Sequence, residues 1–208
     1  MKTKARLVAF MVLASLLFAS IFASCATTSV SRVSSDTVTD LTGFWNDTDV
    51  RQVCDDLIAK CLASPRVKAF QEKNGRLPVI MVGKFKNDST EHIDTSIITG
   101  KMEDAIINSG MADFVADKSD RAELREEVES QNRDGYTSEE TAKAMGDETG
   151  ADFILKGSVK TMVESAGNKT VRTYFVTAQL LDLQKGLVMW NGRNDEIKKI
   201  VTTKKPKL

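Results

Sequence analysis

The stretches ADFILKGSVKTMV (residues 151–163), VRTYFVTAQLLDL (residues 171–183) and LVMW (residues 187–190) decide the fold class. Each is rich in β-branched, aromatic and other apolar residues, which favour strands. The connections Gly167-Asn168-Lys169 and Gln184-Lys185-Gly186 contain the residues that form tight turns between neighbouring strands. The last third of the chain is therefore predicted to form an antiparallel three-stranded meander.

Upstream of the meander, strand patterns alternate with helix patterns. Residues 77–85 are almost continuously apolar, which predicts a central strand that is covered on both faces. Residues 114–116 predict a further short strand. The fold class is therefore α+β: a mixed sheet of about five strands packed by helices.

Five helices are expected. In the first, apolar residues recur at the spacing of one helix face: Val50, Val53, Cys54, Leu57, Ile58, Cys61 and Leu62. Ser64-Pro65 begins a second helix, and Asp94 or Thr95 caps a third that ends at residues 108–110. Residues 119–131 form a charged surface helix, and a last helix is capped by Ser138 and stopped by Gly150.

The N-terminus has the layout of a secretory signal. Lys2, Lys4 and Arg6 precede an apolar run at residues 7–23, and small residues stand directly before Cys25. This variant of the signal predicts cleavage after Ser24 and a lipid on the thiol of Cys25. The alternative is an uncleaved membrane anchor, because the run approaches the length that spans a bilayer. Both alternatives place the rest of the chain outside the cytoplasm, tied to a membrane.

These patterns divide the chain into four parts. We expect a lipoprotein signal peptide at residues 1–24, a lipidated cysteine and flexible tether at 25–43, a globular domain at 44–200 and a basic tail at 201–208. The 18 tether residues after Cys25 reach at most about 60 Å when fully extended. As a flexible coil they span about 25 Å.

Charge and cysteine content exclude some functions. Without Lys2, Lys4 and Arg6 the mature chain has 26 basic and 29 acidic side chains, a net charge of −3. This argues against a nucleic-acid partner, which needs a basic stripe. Cys54 and Cys61 are seven residues apart on one helix, or about 10 Å, which is too far for a disulfide. They are expected to be small core residues, with an intermolecular bridge as the alternative.

No pattern predicts catalysis, a metal site or a cofactor. The chain has one histidine, His92, in a polar loop, and no ligand or nucleophile motif surrounds it. Lys198, Lys199, Lys204, Lys205 and Lys207 either touch an anionic surface or belong to a disordered end. We therefore expect a protein that is not an enzyme.

Several short motifs occur in a characteristic order: Trp45-Asn46-Asp47-Thr48-Asp49, Glu91-His92-Ile93-Asp94-Thr95, Ile107-Asn108-Ser109-Gly110, Ser138-Glu139-Glu140-Thr141, Gly150-Ala151-Asp152-Phe153 and Trp190-Asn191-Gly192. Together with Cys25 they resemble the LpoB family, outer-membrane lipoproteins that activate bifunctional penicillin-binding proteins. The resemblance implies a regulator that faces the periplasm and docks a globular domain onto a peptidoglycan synthase, raising its transpeptidase and glycosyltransferase output. Ala26, which stands where Asp often signals inner-membrane retention, favours the outer membrane.

The tether departs from the family pattern. Known members carry a long Pro- and Gln-rich tether, whereas this chain has only three prolines. With so short a reach, a synthase in the opposite membrane is accessible only where the envelope is thin.

The surface that contacts the partner is expected at Arg133, Asp134 and Tyr136, in an exposed loop, because Tyr and Arg are enriched at binding hot spots. We expect a monomer. Alternative functions are a CsgG-like secretion-channel lipoprotein, a general envelope adaptor and an envelope hydrolase. The channel requires extra amphipathic hairpins, and the one long hairpin, residues 154–183, is needed by the core sheet.

Overall fold

The structure is a computed structural model, and it describes residues 28–35, 37–133, 137–138, 140–143 and 148–204. The chain divides into two compact units, Met1–Thr37 and Val38–Leu208. The described residues of the first unit are exposed and form no helix or strand.

In its described residues, the second unit contains four helices and six strands. The helices are α1 (Asp47–Leu62), α2 (Pro65–Asn74), α3 (Thr95–Ser109) and α4 (Lys118–Arg133). The strands are β1 (Val79–Asn87), β2 (Asp113–Phe114), β3 (Phe153–Ala166), β4 (Lys169–Asp182), β5 (Val188–Asn194) and β6 (Lys198–Thr202). None of the described helices is long and apolar enough to cross a bilayer.

The six strands form one mixed sheet in the order β2-β1-β3-β4-β5, and β6 pairs with the first part of β4. Strand β1 runs parallel to both β2 and β3. The pairs β3–β4 and β4–β5 are antiparallel and form the predicted meander. The predicted α+β class with a mixed sheet is confirmed, with one more strand than expected.

Helices cover one face of this sheet. α1 and α3 pack against each other and against the sheet, and α2 joins them through Phe70, whose ring meets the ring of Phe153 edge-on at 5.0 Å. The side chains of the strands that join the core all point to this face: Ile80, Val82, Phe85, Phe153, Leu155, Val159, Tyr174, Val176, Ala178 and Leu180. The domain is therefore a two-layer sandwich whose sheet has a second face without a helix in the described part of the chain.

The prediction that residues 77–85 are covered on both faces is wrong, although the strand is central as expected. Met81 and Gly83 are only half-buried and Lys84 is exposed. The register against β3 shifts between Val82 and Phe85, so a bulge interrupts the alternation. The nearly continuous apolar run at residues 77–85 thus arises from one buried face together with the bulge, which interrupts the alternation between the two faces.

Helix boundaries follow the capping residues. Asn46 and Asp49 form a capping box at the start of α1, in which each side chain accepts the other residue's backbone N–H. Asp94 caps α3 through the N–H of Ser96. Gly110 ends α3 in the left-handed conformation at φ 61°, which glycine adopts at little cost.

Two local predictions differ from the structure. Strand β6 was not predicted, and it takes in Val201 and Thr202, which the sequence placed in the basic tail. No helix follows Ser138 in residues 137–138, 140–143 and 148–150. The Ser138 carbonyl instead accepts the N–H groups of Thr141 and Ala142 in a turn. Cys54 and Cys61 are free and buried, as predicted.

Candidate partner-binding surface

Of the predicted site residues, only Arg133 is placed by the structure. It is the last residue of α4 and is exposed, whereas Cys25, Asp134 and Tyr136 lie outside the described residues. α4 has no buried residue. Its described contacts join it to the segment that follows, through the ion pair between Arg125 and Glu148.

The motif residue Glu91 organises a buried polar cluster. Its carboxylate accepts hydrogen bonds from the Tyr174 hydroxyl at 2.9 Å and from the backbone N–H of Trp45 at 3.3 Å. The Arg172 Nε lies 3.4 Å from the same carboxylate, and the Arg172 guanidinium stacks over the Phe44 ring at 4.2 Å. Burial, followed by the hydrogen bond to Glu91, raises the pKa of Tyr174. The cluster ties the start of the domain to β4.

Lys199 of β6 forms a second connection to the start of the domain. Its Nζ lies 2.6 Å from Asp49 Oδ2 and 2.6 Å from Asp40 Oδ1, and it donates to the Phe44 carbonyl at 3.0 Å. The Lys199 side chain is 9% exposed and that of Asp49 is 6% exposed. Burial raises the pKa of Asp49, although the hydrogen bond from Lys199 opposes this. The hydrogen bond from Lys199 instead holds the pKa of Asp40 below its ordinary value.

The motif residue Asp152 is also used inside the domain. Its two carboxylate oxygens accept hydrogen bonds from the two terminal nitrogens of Arg76, both at 2.7 Å. One of these oxygens also accepts the backbone N–H of Val79 at 2.8 Å. The hydrogen bond from Arg76 is the main reason that the pKa of Asp152 lies below its ordinary value. Trp45, Asn46, Asp49, Glu91 and Asp152 therefore hold the fold together, so these motif residues do not mark a contact surface.

A groove of about 650 Å³ lies between α2 and the turn that joins β4 to β5. Its polar groups largely serve the fold. Arg66 donates to the Val188 carbonyl at 3.1 Å, and Asp182 accepts the N–H groups of Gln184 and Lys185. No group of three or more metal-ligating side chains occurs in the described ranges.

The open face of the sheet is a surface that the described helices leave uncovered. The strand registers place the following rows of side chains on it: Ile154, Leu181 and Val188; Lys156, Gln179 and Asn191; Ser158, Thr177 and Arg193; Lys160 and Phe175; Met162, Thr173 and Lys198; Glu164, Val171 and Ile200. The hydroxyls of Ser158 and Thr177 lie 3.3 Å apart, as expected for neighbours on one face.

Charge on the open face is mostly positive, although the chain as a whole has equal numbers of basic and acidic side chains. Its basic side chains are exposed: Lys86, Lys156, Lys160, Arg193 and Lys198. Glu164 is the acidic side chain in these rows. An uncovered face with this charge suits an acidic protein surface.

Apolar side chains are interspersed with these cations. Phe175 is half-buried and lies opposite Lys160 in the register. Met162 and Ile200 are 54% and 65% exposed. Apolar anchors surrounded by charged groups are the usual composition of a protein-binding patch.

Sequence reasoning missed this face because the apolar run at 77–85 led us to expect helices on both sides. A signal was available in residues 153–160, where Phe153, Leu155 and Val159 alternate with Lys156 and Lys160. That alternation is typical of a sheet with one solvated face.

Comparison with known proteins agrees with the resemblance to the LpoB family. The family model described as peptidoglycan-synthase activator LpoB matches residues 49–195. The LpoB C-terminal domain from Salmonella enterica is 16% identical, covers 74% of this chain and 99% of that chain, and has a TM-score of 0.41. The LpoB C-terminal domain from Escherichia coli is also 16% identical, covers 70% of this chain and 96% of that chain, and has a TM-score of 0.42.

Lipoprotein GNA1162 from Neisseria meningitidis is 17% identical, covers 62% of this chain and 87% of that chain, and has a TM-score of 0.36. Comparison with curated proteins gives no match. The family model covers most of the chain, from within α1 to the end of β5. The chain belongs to the LpoB family of peptidoglycan-synthase activators.

Proposed function

We propose that this protein is an envelope lipoprotein that binds and activates a peptidoglycan synthase of the bifunctional penicillin-binding class. The observation that carries the proposal is the family match over residues 49–195. The protein acts as a regulator of cell-wall synthesis and not as an enzyme.

The proposal includes the location of the protein. Signal cleavage before Cys25 and lipidation of its thiol anchor the chain in the outer membrane, facing the periplasm. The tether predicted at residues 25–43 is free only in its first part, because the compact unit begins at Val38 and Asp40 is held by Lys199. Its reach is therefore shorter than about 60 Å, which limits contact to a synthase that comes close to this membrane.

The proposed activation follows from thermodynamic linkage between binding of this protein and the conformation of the synthase. A partner that binds the active conformation of the synthase more tightly than the inactive one shifts the equilibrium toward the active conformation. A tenfold difference in affinity corresponds to about 1.4 kcal/mol of coupling free energy. A rigid docking domain is sufficient for this role, because it needs no chemistry of its own.

We place the contact on the open face of the sheet, with Arg133 at the end of α4 and the residues Asp134 and Tyr136 that follow it as a second region. The cations of the face and the exposed apolar side chains between them support this choice. The partner surface is expected to be acidic. Its attraction to these cations would weaken as salt concentration rises.

The test uses full-length protein and a purified bifunctional synthase, with glycan polymerisation and peptide cross-linking from lipid-linked precursor as readouts. The double variant Lys156→Glu/Arg193→Glu reverses two exposed cations on the face. We expect about tenfold or greater loss of binding, since close charge pairs at interfaces contribute more than 1 kcal/mol each. Lys68→Glu/Lys73→Glu, on exposed positions of α2, is the matched control.

The double variant Arg133→Ala/Tyr136→Ala tests the second region separately. If this variant loses activation and the open-face variant does not, the contact lies at the second region. Full activation by both double variants would reject both surfaces, and failure of the unmodified protein to bind any bifunctional synthase would reject the function.

Lipidation has its own test. Cells labelled with radioactive palmitate should yield labelled protein that fractionates with the outer membrane, and Cys25→Ala should abolish the label. Unlabelled wild-type protein would refute the anchor.

A further inference from the structure

The groove between α2 and the turn from β4 to β5 lies at the end of the sandwich where β4 ends and β1 and β3 begin. Its volume is about 650 Å³, and Phe70, Leu187 and Met189 supply apolar surface to it. Leu187 is 52% exposed and Met189 is half-buried. This apolar surface is therefore open to a ligand.

The groove has an excess of positive charge. Its charged lining residues, within the part of the chain that the structure describes, are as follows: Arg66, Lys73, Lys185, Asp152 and Asp182. Arg76 neutralises Asp152 through two hydrogen bonds of 2.7 Å. Three cations therefore face one carboxylate that has no counterion. Neither Lys73 nor Lys185 forms an ion pair or a side-chain hydrogen bond with a described residue, so both ammonium groups are available.

The turn that carries Lys185 is fixed by its own hydrogen bonds. Asp182 Oδ1 accepts the backbone N–H groups of Gln184 at 2.9 Å and of Lys185 at 2.8 Å. The Asp182 carbonyl accepts the N–H of Gly186 at 2.8 Å, and Gly186 has a φ of 67°. A ligand that binds here does not have to order this loop, which lowers the cost of binding. Asp182 Oδ2 has no partner among the described residues and is available as an acceptor.

The groove is remote from the point where the chain enters the domain. The compact unit begins at Val38, and Asp40 is bound by Lys199, which pairs with Arg172 of β4. From Arg172 to Asp182 the strand covers ten residues, or about 33 Å. This position suits a ligand that lies beyond the surface to which the chain is tied.

We propose that this groove binds the stem peptides of peptidoglycan, an inference that rests on the proposed function because the synthase makes this polymer. Stem peptides carry free carboxylates, short aliphatic side chains and, at their diamino acid, an amine. Their carboxylates pair with Lys73 and Lys185, and their methyl groups contact Phe70 and Leu187. The free oxygen of Asp182 accepts the ammonium group. A site with a few polar groups around an apolar surface is typical of small-ligand recognition.

The carboxylate of Asp182 and the apolar surface favour this ligand over a phosphate group. A lipid phosphate carries only negative charge at this position and is repelled by Asp182, whereas a stem peptide offers charges of both signs. The groove also lies on the helix side of the sandwich, apart from the open face. The protein can therefore hold the polymer and contact the synthase at the same time.

The first experiment measures cosedimentation of purified full-length protein in detergent with insoluble peptidoglycan sacculi. We expect binding to intact sacculi and none to sacculi whose stem peptides have been removed by an amidase. Lys73→Glu/Lys185→Glu should weaken binding about tenfold, because each reversal replaces an attraction by a repulsion at an exposed site. Lys68→Glu/Lys169→Glu is the matched control: both positions are exposed, neither lines the groove, and the change in net charge is the same.

The second experiment locates the ligand with a soluble disaccharide-tetrapeptide released from peptidoglycan. Its titration should shift the methyl resonances of Leu187 and Met189 in NMR spectra. Ala69 lines the groove and is exposed, so Ala69→Trp fills the groove without a change in charge or in the core. This variant should abolish the shifts and the cosedimentation, while its thermal unfolding midpoint remains close to that of the wild type.

Equal binding to intact and peptide-free sacculi overturns the proposal, as does equal binding by Lys73→Glu/Lys185→Glu and its matched control. The third probe is a vesicle containing phosphatidylglycerol. If Lys73→Glu/Lys185→Glu loses vesicle binding and the wild type does not bind sacculi, the groove takes phosphate and the proposal is wrong.

The two proposed surfaces fail separately. Lys156→Glu/Arg193→Glu should lose synthase binding and keep sacculus binding, whereas Lys73→Glu/Lys185→Glu should show the reverse. Failure of the wild type to bind a synthase refutes the proposed function. Failure to bind sacculi, with synthase binding intact, refutes only the ligand of the groove.

Discussion

Replacing Lys199 by methionine removes the cation that holds the first residues of the domain against its last strand. Three contacts are lost: the ion pairs to Asp49 and Asp40, both at 2.6 Å, and the hydrogen bond to the Phe44 carbonyl at 3.0 Å. Methionine keeps a similar volume, so the change isolates charge and hydrogen bonding. The Asp49 carboxylate remains buried without its counterion.

The structure sets the size of the effect. Asp40 is 47% exposed, so its pair contributes less than about 1 kcal/mol. Removing one partner of a buried pair costs about 3–5 kcal/mol, because the remaining charge is uncompensated. Asp49 keeps the Asn46 N–H at 3.0 Å, which reduces the loss. We expect a decrease of about 3 kcal/mol in the free energy of unfolding, a large part of the 5–15 kcal/mol typical of a domain.

The loss should depend on pH with a definite sign. The folded-state pKa of Asp49 is already raised by burial, and removal of Lys199 raises it further. A carboxyl whose pKa is raised on folding destabilises the fold when ionised, and this penalty disappears as pH falls through the folded-state pKa. The difference between Lys199→Met and wild type should therefore shrink as the pH is lowered from neutral toward the raised folded-state pKa of Asp49.

Urea denaturation followed by tryptophan fluorescence measures the effect, with an expected shift in midpoint of roughly 1–3 M. Asp40→Asn is the control and should change the midpoint little. Adding Asp49→Asn to Lys199→Met should recover more than half of the loss, because the unpaired charge is gone. A loss below about 1 kcal/mol at pH 7, or additive effects in the double variant, would refute the assignment of a buried ion pair.

Three further predictions concern the core and its edges. Burial raises the pKa of both core cysteine thiols to about 12, so maleimide should label them only after unfolding, and labelling of folded protein at pH 8 would contradict their burial. Gly157→Ala places a Cβ against the Thr177 carbonyl and within 2.5 Å of the Phe85 ring, so the free energy of unfolding should fall by about 1–3 kcal/mol. Gly100→Ala, in open space on α3, should instead raise it by about 0.5–1 kcal/mol, and equal thermal shifts for the two variants would reject the close approach. Asp152→Asn should lower the free energy of unfolding by about 1–2 kcal/mol, because a charged acceptor for Arg76 is lost, and an unchanged urea midpoint would show that the pair is solvated.

Local patterns predicted the elements whose stabilising contacts are close in sequence. The apolar spacing from Val50 to Leu62 identified α1, and the turn residues around Gly167 and Gly186 identified the meander. The cap at Asp94 was also readable, because capping depends on neighbours within one helical turn.

Elements stabilised by distant residues were missed. Lys199 looks like part of a basic tail until Asp49, 150 residues away in sequence, is seen to neutralise it. β6 depends on that contact and on pairing with β4. Likewise, no local signal in residues 77–85 shows that a bulge interrupts β1. The alternation in residues 153–160 was the local signal for the candidate surface, and the apolar run at 77–85 argued against it.

The position of Lys199 also has a mechanical consequence. It binds Asp40 on one side of Gly43 and Asp49 on the other, so the segment between them is clamped at two points by one side chain. A pull on the N-terminal end of the domain first loads the exposed contacts of Thr39 and Asp40, both of which also accept hydrogen bonds from the Asn46 side chain. The Phe44 carbonyl and the buried Asp49 pair bear the force only after those contacts yield. Under tension, a few residues at the N-terminal end of the domain can thus detach before α1 or the sheet is strained.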